Sequence, residues 1–227
     1  MKRAILVLLV IALMVVSSSI PATANVGNVF LRNRTAGRKV ALTFDDGPHP
    51  IYTPRILEIL DEFGVTATFF VVGQNVDNYP DAFKAILDSG CEIGNHTYSH
   101  RNIGRMSESE ICREIEATEA AVAKMCDRKL TLLRPPEGSL GAPLERVSVD
   151  KGYDVILWSI DTLDWAHTPS ERIVLKVTDS LCGGDIILMH DYVSGKNTTC
   201  DALRKMIPEL KKRGYEFVTV SELICQE

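Results

Sequence analysis

Two adjacent carboxylates, Asp45 and Asp46, follow an apolar run from Val40 to Phe44 and precede the breakers Gly47 and Pro48. A short buried strand that ends in paired acids at a Gly-Pro turn delivers them to the rim of a sheet, where α/β folds build their sites. The same residues also describe an ordinary solvated turn. Four further clusters bear on that choice. His96 and His100 stand at i and i+4, so they face one way if the segment is helical. With a carboxylate they make a His-His-Asp set that leaves open positions on zinc or a similar ion. Arg134-Pro135-Pro136-Glu137-Gly138 joins a rigid double-proline loop to an arginine able to hold a neighbouring carboxylate. Asp161 and Asp164 lie between the two tryptophans of the chain, Trp158 and Trp165, whose rings suit stacking on sugars or, more commonly, a core. His190 ends the apolar run Ile186–Met189; taken alone it is more often a structural residue than a catalytic one.

These clusters need a scaffold that brings strand ends to one rim. Strands are predicted at Val40–Phe44, Thr66–Val72, Cys91–Asn95, Leu130–Arg134, Asp154–Ser159, Asp185–Met189 and Glu216–Thr219. Helices are predicted near Pro54–Phe63, Pro80–Ser89, Ser107–Met125, Pro143–Lys151, Ser170–Leu181, Thr199–Arg213 and Ser221–Cys225. Gly64, Gly90, Gly152 and Gly214 each follow a predicted helix, where a left-handed C-cap favours glycine. Ser107 and Glu110 have the spacing of a capping box. Alternating βα units imply a parallel sheet, either an incomplete barrel or an open doubly wound sheet. The five chemical clusters all sit at or just after predicted strand C-termini.

The chain of 227 residues suits one domain with a sizeable core. Lys2 and Arg3, the apolar run Ala4–Val16 and Ala22-Thr23-Ala24 form a secretory signal pattern with cleavage after Ala24. The run is short for a spanning helix, so no membrane span is expected once residues 1–24 are removed. Residues 25–38 read as a leader and 39–227 as the catalytic domain. Loss of Lys2 and Arg3 moves the formal charge from −5 to −7, which argues against nucleic acid as a partner. All six cysteines lie beyond the signal segment, where disulfides are permitted but free thiols are equally admissible. Asn33, Asn95 and Asn197 begin formal glycosylation sequons, and sugar on Asn95 would block a metal at His96.

With these residues in view, the chain resembles the polysaccharide deacetylases, the NodB-homology domain of carbohydrate esterase family four. The resemblance runs from about Lys39 to Ile224. It rests on Thr43-Phe-Asp-Asp-Gly-Pro48, His96-x-x-x-His100, Arg134-Pro-Pro-x-Gly138, Asp161-x-x-Asp164-Trp165 and Leu188-x-His190. It implies an α/β fold: a distorted, incomplete (β/α) barrel of about seven parallel strands with outer helices. It further implies a secreted or wall-associated monomer that removes acetyl groups from an N-acetylated polysaccharide, peptidoglycan first and chitin oligosaccharides next. Asp46, His96 and His100 would hold zinc, or else cobalt or nickel. Asp45 would be the base that activates the attacking water, and Arg134 would orient it. His190 would be the acid, with Asp161 rather than Asp164 holding its tautomer. Trp165 and Leu188 would receive the acetyl methyl, and Pro136 and Glu137 would lie at the substrate groove. Glu137 stands where the family usually carries tyrosine, and its charge would disfavour anionic substrate groups. Two other expectations are a non-catalytic wall-binding protein that keeps the fold, and an O-esterase of the acetylxylan type.

Overall fold

The computed structural model describes residues 28–195 and 197–225; the expected signal segment lies outside the described residues. The strands are β1 (Val29–Phe30), β2 (Lys39–Asp45), β3 (Thr68–Val71), β4 (Glu92–Asn95), β5 (Leu132–Leu133), β6 (Asp154–Ile156), β7 (Ile160–Asp161), β8 (Ile186–His190) and β9 (Glu216–Phe217). They form a parallel sheet in the order β1-β6-β5-β4-β3-β2-β8-β7, with β9 pairing onto the start of β2. The two edge strands do not pair with each other, so the sheet curls into a half-barrel and does not close. This decides between the two architectures that periodicity left open. The helices are α1 (Tyr52–Phe63), α2 (Gly73–Asn78), α3 (Pro80–Asp88), α4 (Glu108–Ala123), α5 (Ala142–Lys151), α6 (Ser170–Ser180), α7 (Thr199–Lys212) and α8 (Val220–Ile224).

Strand β2 shows why the sequence folds this way. Val40, Leu42 and Phe44 join the larger apolar core, together with buried residues of α1, α4 and α7 such as Ile56, Ile115 and Leu203. Ala41 belongs to a smaller cluster with Phe70, Leu132, Ile156 and Ile186. A strand exposes alternate residues to opposite faces. Thr43 and Asp45 therefore share the face of Ala41, inside the curl, while the even positions lie against helices. Both faces are covered, as a parallel sheet requires. Gly64 and Gly152 end α1 and α5 at φ of 57° and 73°, left-handed values that cost glycine nothing. Ser107 opens α4 with the predicted capping box, its backbone N–H donating to the Glu110 carboxylate at 2.9 Å.

Several expectations change. Val29–Phe30, inside the expected leader, adds a strand beside β6 with Val29 opposite Val155. Ile160–Asp161 adds another, and residues 73–78 form a helix that no periodicity announced. Elements of two to six residues are too short to carry a readable period. All six thiols are unpaired. No helix among the described residues is long and apolar enough to cross a membrane.

Candidate active site

Parallel register sets the level of the site. Asp45 lies opposite both Phe70 and His190, Val71 opposite Asn95, and Asn95 opposite Leu133. Strands β2, β3, β4, β5 and β8 thus end together, and the residues at or just past those ends meet in one cleft of about 550 Å³. Asp45, Asp46, His96, His100, Glu137, Trp158, Asp161, Trp165, Leu188 and His190 line it. A larger groove of about 700 Å³, lined by Leu57, Leu60, Thr66 and Cys91 among others, opens at the opposite end of the strands, away from these groups.

Two consecutive strand residues would point to opposite faces. Asp46 escapes this because its φ is 75°, a left-handed value that turns the chain. Asn75 on α2 donates to the Asp46 carbonyl at 2.7 Å, and Val72 N–H donates to the Gly47 carbonyl at 2.8 Å, which fixes the turn. Gly47 is required there: a Cβ would lie 2.0 Å from the buried Asp191 carboxylate. Asp191 accepts the Thr53 hydroxyl, and burial pushes its pKa up to about 7. Asn75, Thr53 and Asp191 escape sequence reading because their partners are backbone atoms or distant turns.

The Asp46 Oδ1 atom stands 3.3 Å from His96 Nε2 and 3.0 Å from His100 Nε2. That oxygen is buried and makes no well-directed hydrogen bond. One ligand atom from each of the three residues lies within 4.8 Å of the others, which fits a shared divalent cation. His96 Nδ1 lies 2.7 Å from the Arg134 carbonyl, an acceptor, so Nδ1 carries the proton and Nε2 keeps a free lone pair for a metal. Burial raises the pKa of Asp46, but the two imidazoles outweigh it and leave the carboxyl well below its usual range. Asp46 in turn raises His100. The histidines do not converge through a helix as the i, i+4 spacing suggested. Residues 96–100 form a loop in which Thr97 and His100 are left-handed, at φ of 65° and 52°.

Asp45 is held differently. Arg134, 0% exposed, donates to Asp45 Oδ1 at 2.7 Å and to the Thr43 hydroxyl at 2.7 Å. Its other nitrogens donate to the Ile156 and Leu157 carbonyls, and its guanidinium stacks 4.1 Å from the Phe70 ring centroid. Burial lowers the Arg134 pKa, and the charge of Asp45 opposes that. The second Asp45 oxygen lies 3.7 Å from His96 Nε2, at the metal site but free to accept a proton.

The partner of His190 is a correction. Asp164, not Asp161, takes the His190 Nδ1–H at 2.8 Å. Asp161 accepts the Leu163 N–H at 2.8 Å instead, and so holds the turn. β7 ends at Asp161, and a left-handed Leu163 then drives Asp164 inward to 1% exposure. There it also accepts the His190 backbone N–H at 2.8 Å and the Thr199 hydroxyl at 2.7 Å. Burial lowers the His190 pKa, but the hydrogen bond and charge of Asp164, aided by Asp45 and Asp46, carry it up to about 9. Trp165 is half exposed at the rim and Leu188 is buried at the base of the cleft. Pro136 is buried and absent from the lining, so Glu137 alone of that pair meets the groove, with its carboxylate accepting from Asn102 at 2.6 Å. Asn95 is fully buried with its amide donating to the Ile115 carbonyl, which removes it as a glycan acceptor.

Residues 32–156 match the family described as polysaccharide deacetylase. A peptidoglycan-N-acetylglucosamine deacetylase of Bacillus cereus is 41% identical over 82% of this chain and 87% of its own length. The crystal structure of a peptidoglycan N-acetylglucosamine deacetylase superposes with a TM-score of 0.85 at 33% identity, covering 89% of this chain and 94% of that one. A CE4 family pseudoenzyme from Bacillus anthracis does so at 0.81 and 32%, covering 87% and 69%, so likeness of fold does not by itself decide activity. By sequence, by half-barrel and by the groups gathered at its rim, this chain belongs to the polysaccharide deacetylase family.

Proposed function

We propose that the chain is an exported, metal-dependent N-deacetylase of N-acetylhexosamine polymers, with peptidoglycan as first substrate and chitin oligosaccharides next. One observation carries this reading: an Asp-His-His cluster, an Arg-held aspartate and an Asp-held histidine face one cleft. The relatives named for peptidoglycan and chitooligosaccharide deacetylation support the choice of polymers. Asp46, His96 and His100 would hold the cation, zinc or else cobalt or nickel. When bound, it would polarise the acetamide carbonyl and make water in the cleft more acidic.

The chain's own groups handle the protons. Asp45 accepts one from the attacking water as the new C–O bond forms. Arg134 donates to that carboxylate at 2.7 Å and keeps it aimed. The His190 Nδ1–H is committed to Asp164, so Nε2–H points into the cleft and passes its proton to the amide nitrogen as the C–N bond breaks. Acetate and a free amine leave. A pKa of about 9 keeps His190 protonated at neutral pH, as an acid requires. Trp165 and Leu188 shape the pocket for the methyl group. Acetate release from purified wall polymers and N-acetylglucosamine oligomers tests the reading. EDTA should abolish release and zinc or cobalt restore it; a metal-replete protein that frees no acetate from any of them refutes it. Acetylxylan in the same panel separates an O-esterase.

A further inference from the structure

Helix α4 contributes nothing to the lining of the cleft, yet one of its side chains holds the loop that carries both histidines. The Glu114 side chain is only 11% exposed. One of its carboxylate oxygens accepts the Tyr98 N–H at 3.0 Å and the Ser99 N–H at 2.8 Å, and the other accepts the Ser99 hydroxyl at 2.7 Å. Tyr98 and Ser99 stand between His96 and His100. The carbonyls of Thr97 and Tyr98 accept the N–H groups of Gly73 and Gln74, at the start of α2, at 3.0 and 2.9 Å. Asn95, just before the loop, accepts the Thr97 N–H at 2.8 Å and donates to the Ile115 carbonyl at 3.2 Å. Two consecutive residues of α4, Glu114 and Ile115, thus grip the chain on either side of His96.

The loop needs such a grip. Thr97 and His100 are left-handed, a conformation that costs any residue with a Cβ and persists only where the surroundings over-determine it. The two histidines also differ in how they are held. His96 is 2% exposed, and its Nδ1–H is committed to the Arg134 carbonyl. The His100 side chain is 38% exposed, so its place depends more on the backbone that carries it. That backbone leads directly from the Tyr98 and Ser99 groups bound by Glu114. We propose that Glu114 is a positioning residue of the metal centre: its carboxylate sets residues 98–99 so that His100 Nε2 reaches the same cation as Asp46 and His96. This rests on the metal-dependent reading above and adds to it a residue outside the cleft, whose reach sets the affinity for the cation.

The test is the zinc Kd of Glu114→Asp and Glu114→Gln, measured by competition with a chromogenic chelator. Aspartate keeps the acid but is one methylene too short for the loop, and it should weaken zinc binding by about 10–100-fold. Glutamine keeps the reach: its oxygen accepts the two N–H groups and its amide donates to the Ser99 oxygen. Its Kd should stay within about threefold of the unsubstituted value. Glu116→Ala, on the same helix but paired with Lys151 at the surface, should leave the Kd unchanged. Melting temperatures separate positioning from folding. A purely structural role lowers Tm equally with and without zinc, whereas lost positioning shrinks the rise in Tm that zinc produces in Glu114→Asp. An unchanged Kd in Glu114→Asp, or a loss in Glu114→Gln as large as in Glu114→Asp, overturns the proposal while the metal reading stands. An unsubstituted chain that binds none of zinc, cobalt or nickel overturns the metal reading itself, and the role of Glu114 with it.

Discussion

Asp164→Asn isolates the energetics of the acid. His190 is nearly as buried as Asp164 itself, and burial alone pushes an imidazole below its ordinary value of 6.5. The rise to about 9 therefore depends on the hydrogen bond and charge of Asp164, with smaller help from Asp45 and Asp46. Going from about 9 to 6.5 or lower removes about 3 kcal/mol of preference for the imidazolium. At pH 8 the protonated fraction falls from about nine-tenths to about 3%, so protonation alone costs about 30-fold in rate. Geometry adds to this. An asparagine amide at Oδ2 would face two donors, the His190 N–H and the Thr199 hydroxyl, and flipping it would force the wrong imidazole tautomer. A bound cation opposes the imidazolium in both proteins, so the difference between them is the informative quantity. The assay is kcat/KM for acetate release from pH 5 to 10. Asp164→Asn should move the alkaline limb down by about 2 pH units, with much of the loss recovered near pH 6. Stability follows the same linkage. A raised histidine pKa contributes stability that is complete below 6.5 and disappears as pH rises through about 9, so the variant should lose that alkaline dependence. An alkaline limb that stays in place while the rate falls would refute the reasoning.

Four further outcomes are expected. Asp46→Asn should lose bound metal, whereas Asp45→Asn should retain it and lose turnover; metal content by elemental analysis together with acetate release distinguishes the two, and loss of metal in both would contradict the division of roles. Arg134→Met leaves Asp45 buried without a counter-charge and should cost about 3–5 kcal/mol in denaturant titration, with Asp45→Asn in the same chain recovering part of it. Gly47→Ala should sharply lower the melting temperature because the Asp191 carboxylate blocks the methyl, and adding Asp191→Ser should restore much of the loss. Glu137→Gln should raise kcat/KM for polymers that carry free carboxylates, relative to neutral oligomers, by about 2–5-fold at low salt, and 0.5 M salt should erase the gain.

The paired acids, the two histidines and the arginine were legible because each ends or follows an apolar run, and parallel strands carry their ends to one rim. The near-continuous apolar run of β2 likewise announced a buried strand. What escaped depends on turns. Asp161 and Asp164 are three residues apart in one loop, and only the left-handed Leu163 decides which carboxylate turns inward. The same holds for His96 and His100, whose shared direction comes from two left-handed residues and not from a helical period. Asn75 sits on a six-residue helix with no amphipathic signature and acts on a backbone carbonyl, so its residue type gave no hint.

The buried arginine has a consequence for shape. A closed barrel has its radius set by strand number and stagger, through an unbroken ring of hydrogen bonds. Here the ring is broken between β1 and β7, so pairing alone leaves the width of the curl unspecified. Arg134 leaves the end of β5, crosses the interior to Thr43 and Asp45 on β2, and grips carbonyls at and beyond the end of β6. Its length acts as a gauge across the curl, a chord between strands that β3 and β4 separate. A shorter side chain at this position would change the bore of the half-barrel, and with it the spacing of every group at the mouth.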